Sequence, residues 1–261
     1  MKDTLAPSVQ ALRLRELAHG KPRNRKTRTK PAKAPLNEHP RAAAGSVLVS
    51  PLPLRHAGPF ALAVSGQACE LREVVLKAKP PELLTASPKA SVPVLVLPDG
   101  EVIEQSLDIM RWALAQSDPG QWLPQVPQVA PVLALIEDCE QTFKHHLDRY
   151  KYPGRYAGAD ALAHRSSASV WLAGLDDQLR PTSWLFGPAP SLADMAIAPF
   201  VRQFAQTDPD WFAAQDWPVL SRWLNAIVTS ALFDSVMHKY PPWHSGADPI
   251  FFAPGRLSSL S

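Results

Sequence analysis

Cysteine is scarce: Cys69 and Cys139 are the only two in 261 residues. At most one bridge could form, which excludes a disulfide-stapled scaffold and a cysteine-rich zinc fold. Long hydrophobic runs are missing as well. Apolar stretches such as the six residues from Val92 to Leu97 fall far short of the about 20 that a membrane-crossing helix needs, so no transmembrane helix is expected. No apolar leader opens the sequence, and a reducing cytoplasm is the expected compartment. Acidic residues are scarce at one end only. Residues 1–45 hold 3 Asp and Glu against 11 Lys and Arg, and residues 46–261 hold 21 against 16, so the net charge of +3 averages a tail of +8 and a body of −5.

What is present is enough for real cores, since 46% of the chain is hydrophobic. The basic run from Lys21 to Lys30 has almost nothing to bury, and like-charge repulsion with chain entropy predicts a disordered tail over residues 1–45. A short apolar spacing there, Leu5, Val9, Leu12 and Leu17, suits a transient helix. From Val47 the pattern changes. Val47 to Val49 reads as a strand, Leu62 to Gly66 as the end of a helix stopped by glycine, and Glu70 to Leu76 as a second strand. Val92 to Leu97 reads as a third strand, and the turn Pro98-Asp99-Gly100 folds Glu101 to Ile103 back on it as an antiparallel hairpin. Ser106 opens a helix with Leu107, Met110, Trp112 and Leu114 on its apolar side.

After the breaker-rich stretch from Asp118 to Pro131 the strands stop. Helical periodicity takes over in residues 132–149, 159–179, 192–206 and 219–231. The expected fold class is α/β plus all-α, with an N-terminal domain over residues 46–117 and an all-helical domain over 125–245. Ser191-Leu192-Ala193-Asp194 has capping-box spacing, and Pro199 inside that helix predicts a kink. His145, His146 and Asp148, with Cys139 six residues before His145, fit no closed zinc set, so no metal is expected. Tyr150, Tyr152 and Trp184 could line a pocket, but core packing is the favoured reading.

A proline at the start of a strand in a β-α-β-β-α unit, followed some twelve residues later by a polar pair at a helix start, is a specific combination. Ser87-Pro88-Lys89-Ala90-Ser91-Val92-Pro93-Val94-Leu95 and Glu104-Gln105-Ser106-Leu107-Asp108 closely resemble the thioredoxin-like domain of glutathione S-transferases. Phe143 to Tyr152, the capping box and Met237 to Trp243 resemble the helical domain of a bacterial branch of that family. The resemblance covers about residues 61–243. It implies that Pro93 is a cis-proline turning the backbone of Val92 toward glutathione, as an added strand would pair. It implies that Gln105 and Ser106 hold the γ-glutamyl group, with the positive end of a helix behind Ser106. Lys79 sits where related enzymes place a lysine near the tripeptide. Glutathione is thus the implied co-substrate, a small electrophile or disulfide the second substrate, and a homodimer the implied assembly. Nucleic-acid binding is the competing reading of the basic tail and is not expected.

One element of the pattern is absent. The branch carries Cys-Pro-Tyr-Ala-Met-Arg-Ala-Arg at its first helix, whereas an ungapped count back from Glu70 places Leu52 to Pro59 there, with Leu52 at the cysteine position. An apolar side chain is no nucleophile, so the catalytic set as written is empty. Gly58 and Pro59 also fall where that helix should run, and a proline in a helix interior costs about 3 kcal/mol. The departure is patterned. Leu52 to Phe60 can be written with the synonymous codons CTG CCC CTA CGC CAT GCG GGC CCG TTT, which one base later would read TGC CCC TAC GCC ATG CGG GCC CGT, the missing octapeptide. Residues 1 to about 60 are therefore expected to be an out-of-frame translation joined to an in-frame transferase. If Leu52 is genuine, the alternative is a glutathione-binding or protein-interaction module without chemistry.

Overall fold

The computed structural model describes residues 46–50, 57–89 and 91–252, so the basic tail and Leu52 lie outside the described residues. The first strand, β1 (Val47–Ser50), leads to α1 (Gly58–Ser65), β2 (Cys69–Glu73) and a short α2 (Pro81–Ala86). The hairpin β3 (Val94–Val96) and β4 (Val102–Ile103) follows, then α3 (Ser106–Gln116). This is the expected β-α-β, hairpin, α order with one addition. Periodicity missed α2, whose six residues carry a single buried side chain, Leu83.

Gly58 and Pro59 correct an expectation. α1 begins at Gly58, which puts Pro59 in the first turn. An amide there has no intrahelical acceptor, so proline is tolerated and the interior penalty does not arise. α1 ends at Gly66, whose φ of 70° is the left-handed conformation a glycine adopts freely, and the Gln67 amide donates to the Leu62 carbonyl. Gly58 also lets α1 approach α3, since a Cβ there would sit 3.2 Å from Ile109 Cγ2.

The sheet has the order β4-β3-β1-β2-β5. β1 runs parallel to β2 and antiparallel to β3. The edge strand β5 (Ile250–Phe252) pairs antiparallel with β2, an element the sequence reading did not find. The chain reaches it through Trp243, whose amide donates to the Glu73 carbonyl and whose ring lies under the Arg72 guanidinium.

The second half is helical: α4 (Val129–Asp138), a π-helical turn (Cys139–Phe143) and α5 (Lys144–Lys151) are consecutive, followed by α6 (Ala161–Leu179) and α7 (Leu192–Ala205). Short α8 (Pro209–Ala213), α9 (Pro218–Val228) and α10 (Ala231–Val236) complete it. The fold is thus a thioredoxin-like α/β unit followed by an all-helical domain, and one apolar core runs from α1 and α3 through α7 to α10. α7 continues through Pro199. None of the described helices is long and apolar enough to cross a membrane.

The capping box opens α7 as expected, and its acid does more than cap. Fully buried Asp194 accepts from the Ser191 amide at 2.8 Å, the Ser191 hydroxyl at 2.6 Å, the Leu185 amide at 3.0 Å and the Trp223 indole at 2.8 Å. Burial pushes its carboxyl above the ordinary range, and these donors oppose the rise. Asp176, also buried, accepts from the Val219 and Leu220 amides and so caps α9 from α6. Asp194→Ala would strand two buried donors, the Leu185 amide and the Trp223 indole, and two half-buried ones on Ser191, and should lower stability by about 3 kcal/mol or more, as measured by urea unfolding. A change below about 1 kcal/mol, the scale of a single neutral hydrogen bond, would show that the carboxylate is not a tie point.

Candidate functional site

Strand register gathers most of the matched residues at one end of the sheet. In the β3–β4 hairpin Leu95 lies opposite Ile103 and Val96 opposite Val102, so Val92 and Pro93, just before β3, and Gln105 and Ser106, just after β4, leave the ladder at the same end. Val49 lies opposite Val94 and Ser50 beside Glu73, so the carboxyl ends of β1 and β2 reach the same end. The Val92–Pro93 bond is cis. Pro93 is buried and Val92 half-buried. Gln105 is exposed in extended backbone as the N-cap, and half-buried Ser106 is the first residue of α3. The unsatisfied amides of an 11-residue helix therefore open at this point, where an anion is favoured.

Lys79 lies apart from this group. It is exposed, six residues past β2, beyond the turn that the Val75–Ala78 bridge closes. Among the described residues, no hydrogen bond or ion pair ties it to the others. Leu52 lies outside the described residues.

The sequence reading missed the pair that fixes the loop before Pro93. Fully buried Ser87 donates its hydroxyl to Glu104 Oε1 at 2.5 Å, and Lys89 approaches Glu104 Oε2 at 3.6 Å. The Ser87 hydroxyl, then the Lys89 charge, hold the Glu104 carboxyl below its usual range. Glu104 directly precedes Gln105, so these contacts tie Ser87 and Lys89 to the start of α3. A serine 17 residues away carries no local signal for that role.

The aromatic candidates separate. Tyr150 is buried against Phe204, with ring centroids 5.1 Å apart, and belongs to the core as favoured. Tyr152 lies under the Arg155 guanidinium at 4.1 Å, and Trp184 is partly buried against the main core.

Neither existing thiol can replace the missing nucleophile. Cys69 is buried in β2 and its pKa is pushed up to about 12, while burial and the nearby Glu140 and Asp138 charges push Cys139 still higher. Both remain neutral near pH 7, and a neutral thiol is a poor nucleophile. Ser46, just before β1, and Ser50, at its end, show a different anomaly. The hydroxyls of Ser46 and Ser50 are buried without a hydrogen-bond partner, the two such side-chain atoms among the described residues.

Comparison with known proteins places these features. The family model described as glutathione S-transferase, N-terminal domain, matches residues 59–122. The one described as glutathione S-transferase, C-terminal domain, matches residues 172–226. No curated protein matches the chain. A glutathione transferase family member from Pseudomonas fluorescens, solved with two glutathione bound, is 18% identical with a TM-score of 0.65 over 76% of this chain and 94% of its own. A glutathione S-transferase from Methylobacillus flagellatus with glutathione bound is 19% identical, TM-score 0.64, over 74% and 98%. A tau-class enzyme from mango, Mangifera indica, is 21% identical, TM-score 0.65, over 76% and 94%. At these identities the likeness shows the fold.

The buried thiols make a direct prediction. The native protein should show no thiol reactive toward a disulfide reagent at pH 8 within minutes, and two after guanidinium unfolding. Rapid labelling of either cysteine in the native state would overturn the assignment of both as inert.

Proposed function

Because the chain belongs to the glutathione S-transferase family, we propose that it binds glutathione at the sheet end shared by Val92, Pro93, Gln105 and Ser106. The observation that carries this reading is the hairpin register, which brings a backbone edge and a helix N-terminus to the same end of the sheet. A tripeptide with a free γ-glutamyl carboxylate suits both. Its backbone can pair with Val92 as an extra strand, and its carboxylate can take the Ser106 hydroxyl and the first amides of α3. Lys79 is assigned an outer role, a mobile cation near the tripeptide's other end. Glutathione bound to the two bacterial neighbours supports this choice of ligand.

The reaction follows from the family: transfer or exchange of glutathione's thiol on a small electrophile or a disulfide. A homodimer in the cytoplasm is the assembly and compartment that go with it. In the chain as written, Leu52 supplies no group for the sulfur, so this form is a weak glutathione binder with little chemistry.

The same proposal accounts for that absence. Residues 1 to about 60 are an out-of-frame reading, and the restored frame carries cysteine at position 52. Two observations support it. The N-terminal family model meets the chain from residue 59, next to the proposed junction at Phe60. The buried, unpartnered hydroxyls of Ser46 and Ser50 also fall upstream of that junction, although β1 itself pairs with β2 and β3. In the restored chain the thiolate at the start of the first helix would be favoured by the helix dipole. It would displace one sulfur of a glutathione disulfide, forming a mixed disulfide and releasing the other sulfur as thiolate.

Calorimetric titration with glutathione tests the site. The chain as written should bind it, and Ser106→Ala should weaken binding about tenfold, the equivalent of one charge-assisted hydrogen bond. Leu52→Cys should raise thiol-exchange turnover above the background of the parent. Failure to bind glutathione would contradict the site. Turnover in the parent equal to that of Leu52→Cys would contradict the role assigned to position 52.

A further inference from the structure

The helical half carries a cluster that the glutathione reading does not use. His145 and His146 are neighbours on α5, and His164 projects from the first turn of α6. One ring nitrogen from each can be chosen so that all three lie within 4.8 Å of one another. His146 Nδ1 and His164 Nδ1 are 2.8 Å apart, one donating to the other, and the ring centroids of His145 and His146 are 5.1 Å apart. Sequence spacing gave no sign of this. Adjacent positions on a helix point about 100° apart, and the third ring arrives from another helix 18 residues on.

We propose that His145, His146 and His164 form a binding site for a borderline divalent transition-metal ion, of which zinc is the representative, clipping α5 to α6. Three imidazoles with a fourth position left to water are a donor set that suits zinc, copper or nickel and does not suit magnesium or calcium.

The geometry is gathered and needs a limited adjustment. Around a tetrahedral zinc, nitrogens about 2.0–2.1 Å from the metal stand about 3.3 Å from one another. The 2.8 Å pair therefore opens and the 4.8 Å gap closes, through side-chain rotation at rings that are exposed or half-buried. The metal replaces the single hydrogen bond between His146 and His164 with two bonds to itself.

Charge nearby acts in both directions. Arg149 Nη1 lies 3.1 Å from His145 Nδ1 and opposes a cation, while Asp148, bonded to Lys144, favours one. Arg149 has other seats when the metal takes the ring: its guanidinium stacks 4.3 Å from the Tyr156 centroid and donates to the His145 carbonyl. Arg149 is thus a brake on affinity and not part of the site.

Untagged full-length protein titrated with zinc chloride, followed by calorimetry and thermal unfolding, tests the proposal. One zinc per chain should bind and raise Tm, and copper(II) should bind more tightly in keeping with the stability order of divalent metals. His164→Ala should weaken binding at least about tenfold and abolish the Tm rise, since loss of even an outer partner costs that much. Should that variant unfold, His146→Gln, half-exposed and conservative in size, gives the same comparison. Arg149→Ala should tighten binding severalfold. Binding that is unaffected by His164→Ala, or no binding at zinc concentrations up to 1 mM on the order of the weakest ordinary sites, would overturn the proposal.

Discussion

The candidate site depends on the register of one three-residue strand. β3 pairs with β1 on one side and β4 on the other, so its position decides whether Val92 and Pro93 reach the same sheet end as Gln105 and Ser106. Val94 and Leu95 are both wholly buried, on opposite faces of the sheet, so a slip of one residue would exchange them between its two cores. So short a ladder gains from a lock outside itself. The Ser87–Glu104 hydrogen bond provides it, joining the loop before β3 to the residue just ahead of α3.

The helical half holds this end in place indirectly. Asp194 joins the start of α7 to Leu185 and to the Trp223 indole on α9, and Asp176 joins α6 to the amides that open α9. Buried carboxylates of this kind are favourable only when their donors are complete, which makes them points of rigidity. α7 and α10 lie in the same core as α1 and α3, so rigidity there bears on the sheet end that carries the site. The π-turn at Cys139–Phe143 lets Phe143 stack on Trp171, with centroids 4.7 Å apart, where α5 begins.

Local signals gave the elements with strong periodicity or a stop residue: the hairpin at Pro98-Asp99-Gly100, the end of α1 at Gly66, and the capping box at Ser191. They failed where the information is tertiary. α2 buries Leu83 alone, β5 is three residues held by β2, and the Ser87–Glu104 contact spans 17 residues. His164 joins His145 and His146 because α5 and α6 pack side by side, a fact absent from any window of sequence. Pro59 was misjudged for a related reason: its cost depends on where α1 starts, and the helix starts one residue before it.

Position 52 is where this sequence departs from the Cys-Pro-Tyr-Ala pattern of the family it resembles. Downstream of that position the N-terminal family model matches residues 59–122. The coding DNA across Leu52 to Phe60 is the most direct measurement. The account predicts codons that, read one base later, give Cys-Pro-Tyr-Ala and an Arg-containing continuation without a stop. Codons whose shifted reading gives stops or unrelated residues would contradict it and leave Leu52 as the true residue of a binding module without chemistry.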